Sequence, residues 1–231
     1  MPATKIVLTV DVGGSHVKIL TSNQTEPRRD VSGPKLTPTE MVASVKKLGE
    51  GWTWDCITVG VPAPVRGGKV VSEPVNLGPG WVGFNFEAAF GAPTKIVNDA
   101  AMQALGSYVS GRMLFLGLGT GLGSAFIVDG EIEAMELGHL PFRKKTFEDY
   151  VGERGLEHLG KKAWRTAVTE TIEHLSAALE PDTVIIGGGN AVKLKELPAN
   201  TVLGSNENAF AGGFRLWTPA PRRRAEATTP A

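Results

Sequence analysis

One cysteine, Cys56, stands in a chain of 231 residues. That excludes an internal disulfide and a zinc site built from several cysteines, and it fits a reducing cytoplasm. Net charge is missing too: Lys+Arg and Asp+Glu number 24 each, so nothing global favours nucleic acid or an anionic membrane as partner. No apolar run approaches the roughly 20 residues that cross a bilayer. A strand-like run starts at Lys5, which leaves no expected room for a signal peptide. The Gly-x-x-x-x-Gly-Lys-Ser/Thr phosphate loop is absent. Gly119-Thr120-Gly121-Leu122-Gly123 lacks the spacing of the dinucleotide motif, and strand follows it, not helix. The remainder is ordinary: 42% hydrophobic and 21% charged residues describe a globular protein with chain enough for a buried core.

Glycine is plentiful, at 29, and gathers at turns. One device occurs twice: residues 6–20 and 113–128 are each an apolar run broken at glycines and resumed. Gly13-Gly14 mark the first break and Gly117, Gly119, Gly121 and Gly123 the second. Each reads either as a plain hairpin needing positive φ or as a concavity of backbone N–H groups suited to phosphate. The pair suggests two lobes clamping a phosphate chain.

Strands and helices alternate, which predicts an α/β class. Residues 5–10 and 16–22 are the first strands. Thr37-Pro38-Thr39-Glu40 is a capping box with proline at the first helical position. Cys56–Val61 is a buried strand, Val65–Val71 a turn at Gly67-Gly68, Phe86–Phe90 a short helix and Lys95–Val97 a short strand. Asn98 or Asp99 caps the next helix. Gly111 separates an N-terminal lobe, 1–110, from a C-terminal lobe, 111–217. Strands at 113–118, 124–128 and 131–134 follow. A long helix from about Lys161 to Leu179 carries Trp164, Val168, Ile172, Leu175 and Leu179 at helical spacing. Val184–Ile186 is a buried strand, and the tail 218–231 is expected to be disordered.

Several residues suit chemistry. Asp11, beside the first glycine break, either caps its own turn or faces phosphate across a cation such as Mg²⁺. Lys18, on the returning strand, neutralises phosphate or lies on a solvated face. Asn98-Asp99 stand where a buried strand meets a helix; capping explains one Asx residue there, and a base for a hydroxyl proton explains two. Glu136 and His139 flank Leu137-Gly138 and together suit a sugar's adjacent hydroxyls. Glu148 is either a further ligand or an exposed helix residue. Gly187-Gly188-Gly189-Asn190 either turns the chain or lets a nucleotide lie against the backbone. Arg143, Lys144, Lys145, Lys161, Lys162 and Arg165 form a cation row for polyphosphate or a solvated face.

Taken in order, Asp11 to Ser15, Gly60 to Val65, Asn76 to Trp81, Val97 to Ala100, Gly117 to Gly123, Glu136 to His139 and Ile186 to Gly189 resemble the ROK family of sugar kinases and sugar-sensing repressors, most closely its polyphosphate glucokinase branch. The resemblance implies an actin/hexokinase-like ATPase fold of two ribonuclease-H-like lobes around a cleft. It implies transfer of a terminal phosphoryl group from polyphosphate or ATP to the 6-hydroxyl of glucose or a related hexose. Asp99 falls on the catalytic base, and Asn98, Glu136, His139 and Glu148 on sugar ligands. Asp11, Gly13, Gly14 and the turn Gly119, Thr120, Gly121 fall on phosphate and Mg²⁺ elements, with Asp11 holding Mg²⁺ directly or through water; Ser15, Lys18, Gly187, Gly188 and Gly189 are further candidates for phosphate or nucleotide. A cytoplasmic homodimer is also implied. The interval Leu140–Phe147 holds no cysteine, so the family's structural zinc is not expected. No winged-helix segment precedes the first strand, which argues against a DNA-binding repressor. Two other classes compete: a non-catalytic sugar or phosphosugar sensor on the same scaffold, and a chaperone-type or cytoskeletal ATPase. Paired Asn98 and Asp99 argue against the first, and Glu136 with His139 against the second.

Overall fold

Alternation and continuous apolar runs set the first sheet, as a computed structural model covering residues 5–205 and 207–218 shows. β1 (Val7–Val12) is buried on nearly every residue, and β2 (His16–Thr21) on alternate ones. β3 (Arg28–Val31) is exposed throughout. α1 (Pro38–Leu48) opens with the expected reciprocal cap: Thr37 Oγ1 accepts from the Glu40 N–H at 3.3 Å, and Glu40 Oε2 accepts from the Thr37 N–H at 2.8 Å. Thr37→Ala removes one arm of that cap and is expected to cost about 1 kcal/mol, read from a urea midpoint. β4 (Cys56–Val61) is buried at all six positions, as suits a strand covered on both faces. The hairpin β5 (Val65–Arg66) and β6 (Lys69–Val70), α2 (Phe86–Phe90) and β7 (Thr94–Asn98) complete this half. The strand order is β3-β2-β1-β4-β7, with β1, β4 and β7 parallel.

After α3 (Asp99–Ser107) the pattern repeats. β8 (Arg112–Leu118), β9 (Leu122–Val128) and β10 (Glu131–Met135) form an antiparallel meander. A small hairpin, β11 (Pro141–Phe142) and β12 (Lys145–Thr146), leads into α4 (Phe147–Val151) and α5 (Glu153–Leu179). β13 (Thr183–Gly187) and β14 (Thr201–Leu203) then add parallel strands, and α6 (Asn208–Arg215) follows. The second sheet runs β10-β9-β8-β13-β14, the same connectivity as the first. Two such ribonuclease-H-like lobes make the actin/hexokinase-like fold. Among the described residues no helix is long and apolar enough to cross a membrane.

Three buried clusters hold the molecule together. One packs α1 and α2 on the first sheet, through Leu8, Val10, Met41, Val45 and Trp81. A second packs α4 and α5 on the other sheet, around Leu116, Phe147, Trp164 and Ile172. The third joins Ala100, Ala101 and Ala104 of α3 to Phe115, Ala125 and Ile127 of the second sheet. The helix that starts at Asp99 therefore lies between the lobes.

Several elements were not expected, among them the β11–β12 hairpin and α4. β3 has no apolar alternation, β14 is only three residues long, and α6 carries two interior glycines. The Gly111 boundary puts residues up to 217 in the second lobe, but α6 returns to the first sheet. There the Thr58 hydroxyl donates to the Gly213 carbonyl at 2.8 Å, and the Trp217 indole N–H donates to Thr58 Oγ1 at 3.0 Å. The long periodic helix starts at about Lys161, as expected: Gly160 (φ +73°, ψ 161°) breaks α5 into a shorter helix before it and the periodic one after it. The tail expected to be disordered lies, from residue 219, outside the described residues.

Candidate active site

Strand register gathers the first group. Asp11 pairs with Lys18 on β2 and with Gly60 on β4, and Gly60 pairs with Val97 on β7. The carboxyl ends of three parallel strands thus align, the edge where α/β sheets hold ligands. Lys18 Nζ lies 3.7 Å from Asp11 Oδ2, and the Asp11 side chain keeps 20% of its surface exposed. Burial pushes the Asp11 carboxyl above the usual carboxylate range, and the Lys18 charge opposes this. Gly13, Gly14 and Ser15 form the adjoining turn, closed by a Gly13 N–H bond to the His16 carbonyl at 2.9 Å. A Cβ on Gly14 would meet Asn76 at 3.4 Å, so the loop after β6 walls this turn.

Asn98 and Asp99 divide the work at the start of α3. Asn98 is the cap: its Oδ1 accepts from the Ala101 N–H at 3.0 Å, and its Nδ2 donates to the Ala63 carbonyl at 3.2 Å. Both ends of that amide are engaged within the protein. Asp99 Oδ1 accepts from the Ala100 N–H at 2.8 Å. Burial first, then the neighbouring Asp11 charge, push its carboxyl up to about 7; the Ala100 N–H opposes them, and Glu136 adds to the rise. A carboxyl poised there exchanges a proton near neutrality, as a general base must.

The second lobe supplies the facing groups. The turn Gly119-Thr120-Gly121 joins β8 to β9, closed by the Gly119 N–H on the Gly121 carbonyl at 3.2 Å. Glu148, near the start of α4, leans on it: a Cβ on Gly121 would lie 2.6 Å from Glu148 Oε2. The other oxygen, Oε1, is 3.9 Å from His139 Nε2. Glu136 precedes the short 3₁₀ turn Leu137–His139. Its carboxyl is raised by burial and by Glu148, against the pull of His139. A hollow of about 200 Å³ opens beside Asn98, lined by Val65, Val97 and Ala101 on one side and Ile132 and Glu133 on the other. A larger one, about 510 Å³, lies beside α2 at Asn85, Glu87 and Pro93 and holds none of these residues.

Asp11, Lys18, Asp99, Glu136, His139 and Glu148 are therefore brought together from both lobes. Gly187 and Gly188 lie against β8, while a Cβ on Gly189 would meet open space. Gly188 has φ +83°, and a Cβ there would sit 2.3 Å from the Leu118 carbonyl oxygen, so only glycine fits. Sequence reasoning missed what ties this turn down: the Asn190 amide donates to the Gly119 carbonyl at 3.3 Å, and Lys193 Nζ donates to Asn190 Oδ1 at 2.5 Å. The three-residue spacing of Asn190 and Lys193 was the available signal. Two members of the cation row are tied to other groups, while Lys144, Lys145, Lys161 and Lys162 are exposed. Arg143 pairs with Glu170 at 2.6 Å, and Arg165 Nε donates to the Lys193 carbonyl at 2.7 Å.

Paired glycine turns on two like lobes, with a neutral-range carboxyl on the helix between them, define an actin/hexokinase-like phosphotransferase of the sugar-kinase class. A family model described as the ROK family matches residues 7–156, and the chain belongs to that family. A polyphosphate glucokinase of Mycobacterium tuberculosis (strain CDC 1551 / Oshkosh) is 30% identical over 206 residues, 78% of this chain and 76% of the relative. A glucokinase of Pyrobaculum calidifontis is 25% identical over 252 residues, 84% of each. The solved inorganic polyphosphate/ATP-glucomannokinase of an Arthrobacter species superposes with a TM-score of 0.81 at 23% identity, covering 92% of this chain and 98% of that one. It shares the fold.

Proposed function

We propose that this protein transfers the terminal phosphoryl group of inorganic polyphosphate or ATP to the 6-hydroxyl of glucose or a related hexose. The observation that carries the reading is electrostatic: the Asp99 carboxyl feels Asp11 of one lobe and Glu136 of the other, so its pKa reports a site built across the cleft. Asp99 orients the attacking hydroxyl and takes its proton, while Glu136, His139 and Glu148 hold the other hydroxyls of the sugar. Asn98 shapes the same wall. The turns Gly13-Gly14-Ser15 and Gly119-Thr120-Gly121 present N–H groups to the donor, with Lys18 as a counter-charge. Gly187 to Gly189 support the donor's far end.

Mg²⁺ suits this arrangement. It needs one or two carboxylates, with donor phosphate and water completing its shell, and Asp11 is a partly exposed carboxylate with Asp99 adding like charge nearby. When held there by Asp11, Mg²⁺ would neutralise charge on the transferring phosphates. Polyphosphate or dual donor use is favoured by the small wall beyond β13. Among the described residues, only a 3₁₀ turn (Ala191–Lys193) and β14 stand between it and α6, which leaves little to flank a purine. A homodimer in the cytoplasm belongs to the same reading.

A coupled assay of glucose phosphorylation with each donor tests it. Glucose 6-phosphate is expected from polyphosphate, with or without activity from ATP. Strict ATP dependence would overturn the polyphosphate assignment. Calorimetric glucose binding without turnover from either donor would favour a sensor instead.

A further inference from the structure

We propose that Arg143 is a positioning residue for the hexose end of the cleft, acting through the small β11–β12 hairpin on His139 and Glu148. The inference rests on the hexose-kinase reading. That hairpin is short, and its two ends carry the sugar candidates: His139 stands just before it, and Glu148 just after. The chain closes on itself where the Phe147 N–H donates to the Leu140 carbonyl at 3.1 Å. Two strands of two residues each cannot fix such a loop by ladder bonds alone.

Arg143 supplies the missing restraint. It sits at the hairpin turn with φ +54°, a conformation that costs a residue with a side chain and favours glycine. Its guanidinium donates to Glu170 Oε2 on α5 at 2.6 Å. The same guanidinium lies 5.0 Å from the Phe142 ring centre and 5.3 Å from that of Tyr150, within range of cation–π attraction. Phe142 in turn stacks on Phe147 at 4.8 Å and meets Tyr150 and His174 edge-on. One side chain therefore ties the turn, the ring cluster beneath it and the long helix together. Phe147 is both a member of that cluster and the neighbour of Glu148. Loosening the clip lets α4 shift, and with it the Glu148 carboxylate held between His139 and Gly121. The second donor turn has anchors besides Glu148, in the Asn190 amide and the Glu153 N–H on Gly119, and the Gly13-Gly14 turn lies in the other lobe. The larger effect is thus expected on the sugar.

Steady-state kinetics with hexose and donor varied separately tests this. Arg143→Ala is expected to raise the hexose KM about tenfold, with kcat and donor KM changed less than about threefold. Glu170→Gln is expected to act in the same direction. The double variant Arg143→Glu with Glu170→Arg is expected to recover part of the loss, which a nonspecific stability defect would not do. Arg143→Gly relaxes the turn while removing the clip, so it guards against a variant that fails to fold, and the same KM pattern is expected of it. An unchanged hexose KM in Arg143→Ala and Arg143→Gly, or hexose and donor KM rising together, would overturn the inference while leaving the kinase reading intact. A wild-type chain that neither binds nor phosphorylates any hexose would remove both.

Discussion

Asp99→Asn is expected to lower kcat for hexose phosphorylation by about a thousandfold while hexose affinity changes little. General-base assistance is worth roughly 10² to 10⁴ in rate. The loose transition state of phosphoryl transfer places the upper part of that range on orientation of the hydroxyl rather than on proton abstraction alone. Asn keeps an oxygen to accept the Ala100 N–H, so the start of α3 is preserved and the loss reads on chemistry. Single-turnover rates beside calorimetric hexose binding check it. A variant within tenfold of the parent removes Asp99 from the mechanism.

The same substitution carries a second, opposite expectation for stability. The folded-state pKa of Asp99 is raised from 3.8 to about 7. A raised carboxyl contributes stability that is full below its unfolded pKa and is lost as pH climbs through its folded pKa. Without divalent cation, the parent therefore weakens between about pH 4 and pH 8, and Asp99→Asn escapes that loss. The variant is expected to melt higher than the parent at pH 8, with the gap narrowing as pH falls and closing near pH 4. Melting curves across that range in chelator decide it; a constant gap would mean that the carboxyl is ionised throughout.

Gly212→Ala is expected to be among the most damaging single changes in stability, costing about 3 kcal/mol or more. A Cβ there would sit 1.8 Å from the Met102 carbonyl oxygen and 2.9 Å from the Gly106 nitrogen, both backbone atoms of α3 that no rotamer change relieves. α6 grips α3 at this crossing. Arg215 extends the grip, donating to the Leu105 and Tyr108 carbonyls at 2.6 and 2.7 Å. Because α3 carries Asp99, a folded remnant of this variant is expected to lose kcat as well. Urea midpoints measure the first effect; a midpoint within about 0.5 kcal/mol of the parent would show that the helices separate freely.

Much of the site was legible because it is local. Asp11 and Asp99 stand at ends of apolar runs, and strand ends are where backbone gives way to side-chain chemistry. The capping box at Thr37 and the periodic stretch from Trp164 to Leu175 report contacts a few residues apart, so pattern alone finds them. In the sequence Arg143 reads as part of a cation row or of a solvated face, because charge is visible in a string and its partner is not: Glu170 is 27 residues away, on another element. β3 was missed because an exposed edge strand needs no apolar face, only a neighbour to pair with.

The sequence by itself determined the two glycine-broken hairpins, the strand-to-helix junction at Asn98-Asp99 and the repeated order of elements, since each depends on turn geometry and short-range periodicity. Tertiary structure alone decided that α6 returns to the first sheet, that α3 lies between the lobes, and that three carboxyls from distant segments share one field. Those outcomes depend on close backbone approach at Gly106 and Gly212 and on Coulomb coupling across the cleft, neither of which any stretch of neighbouring residues encodes.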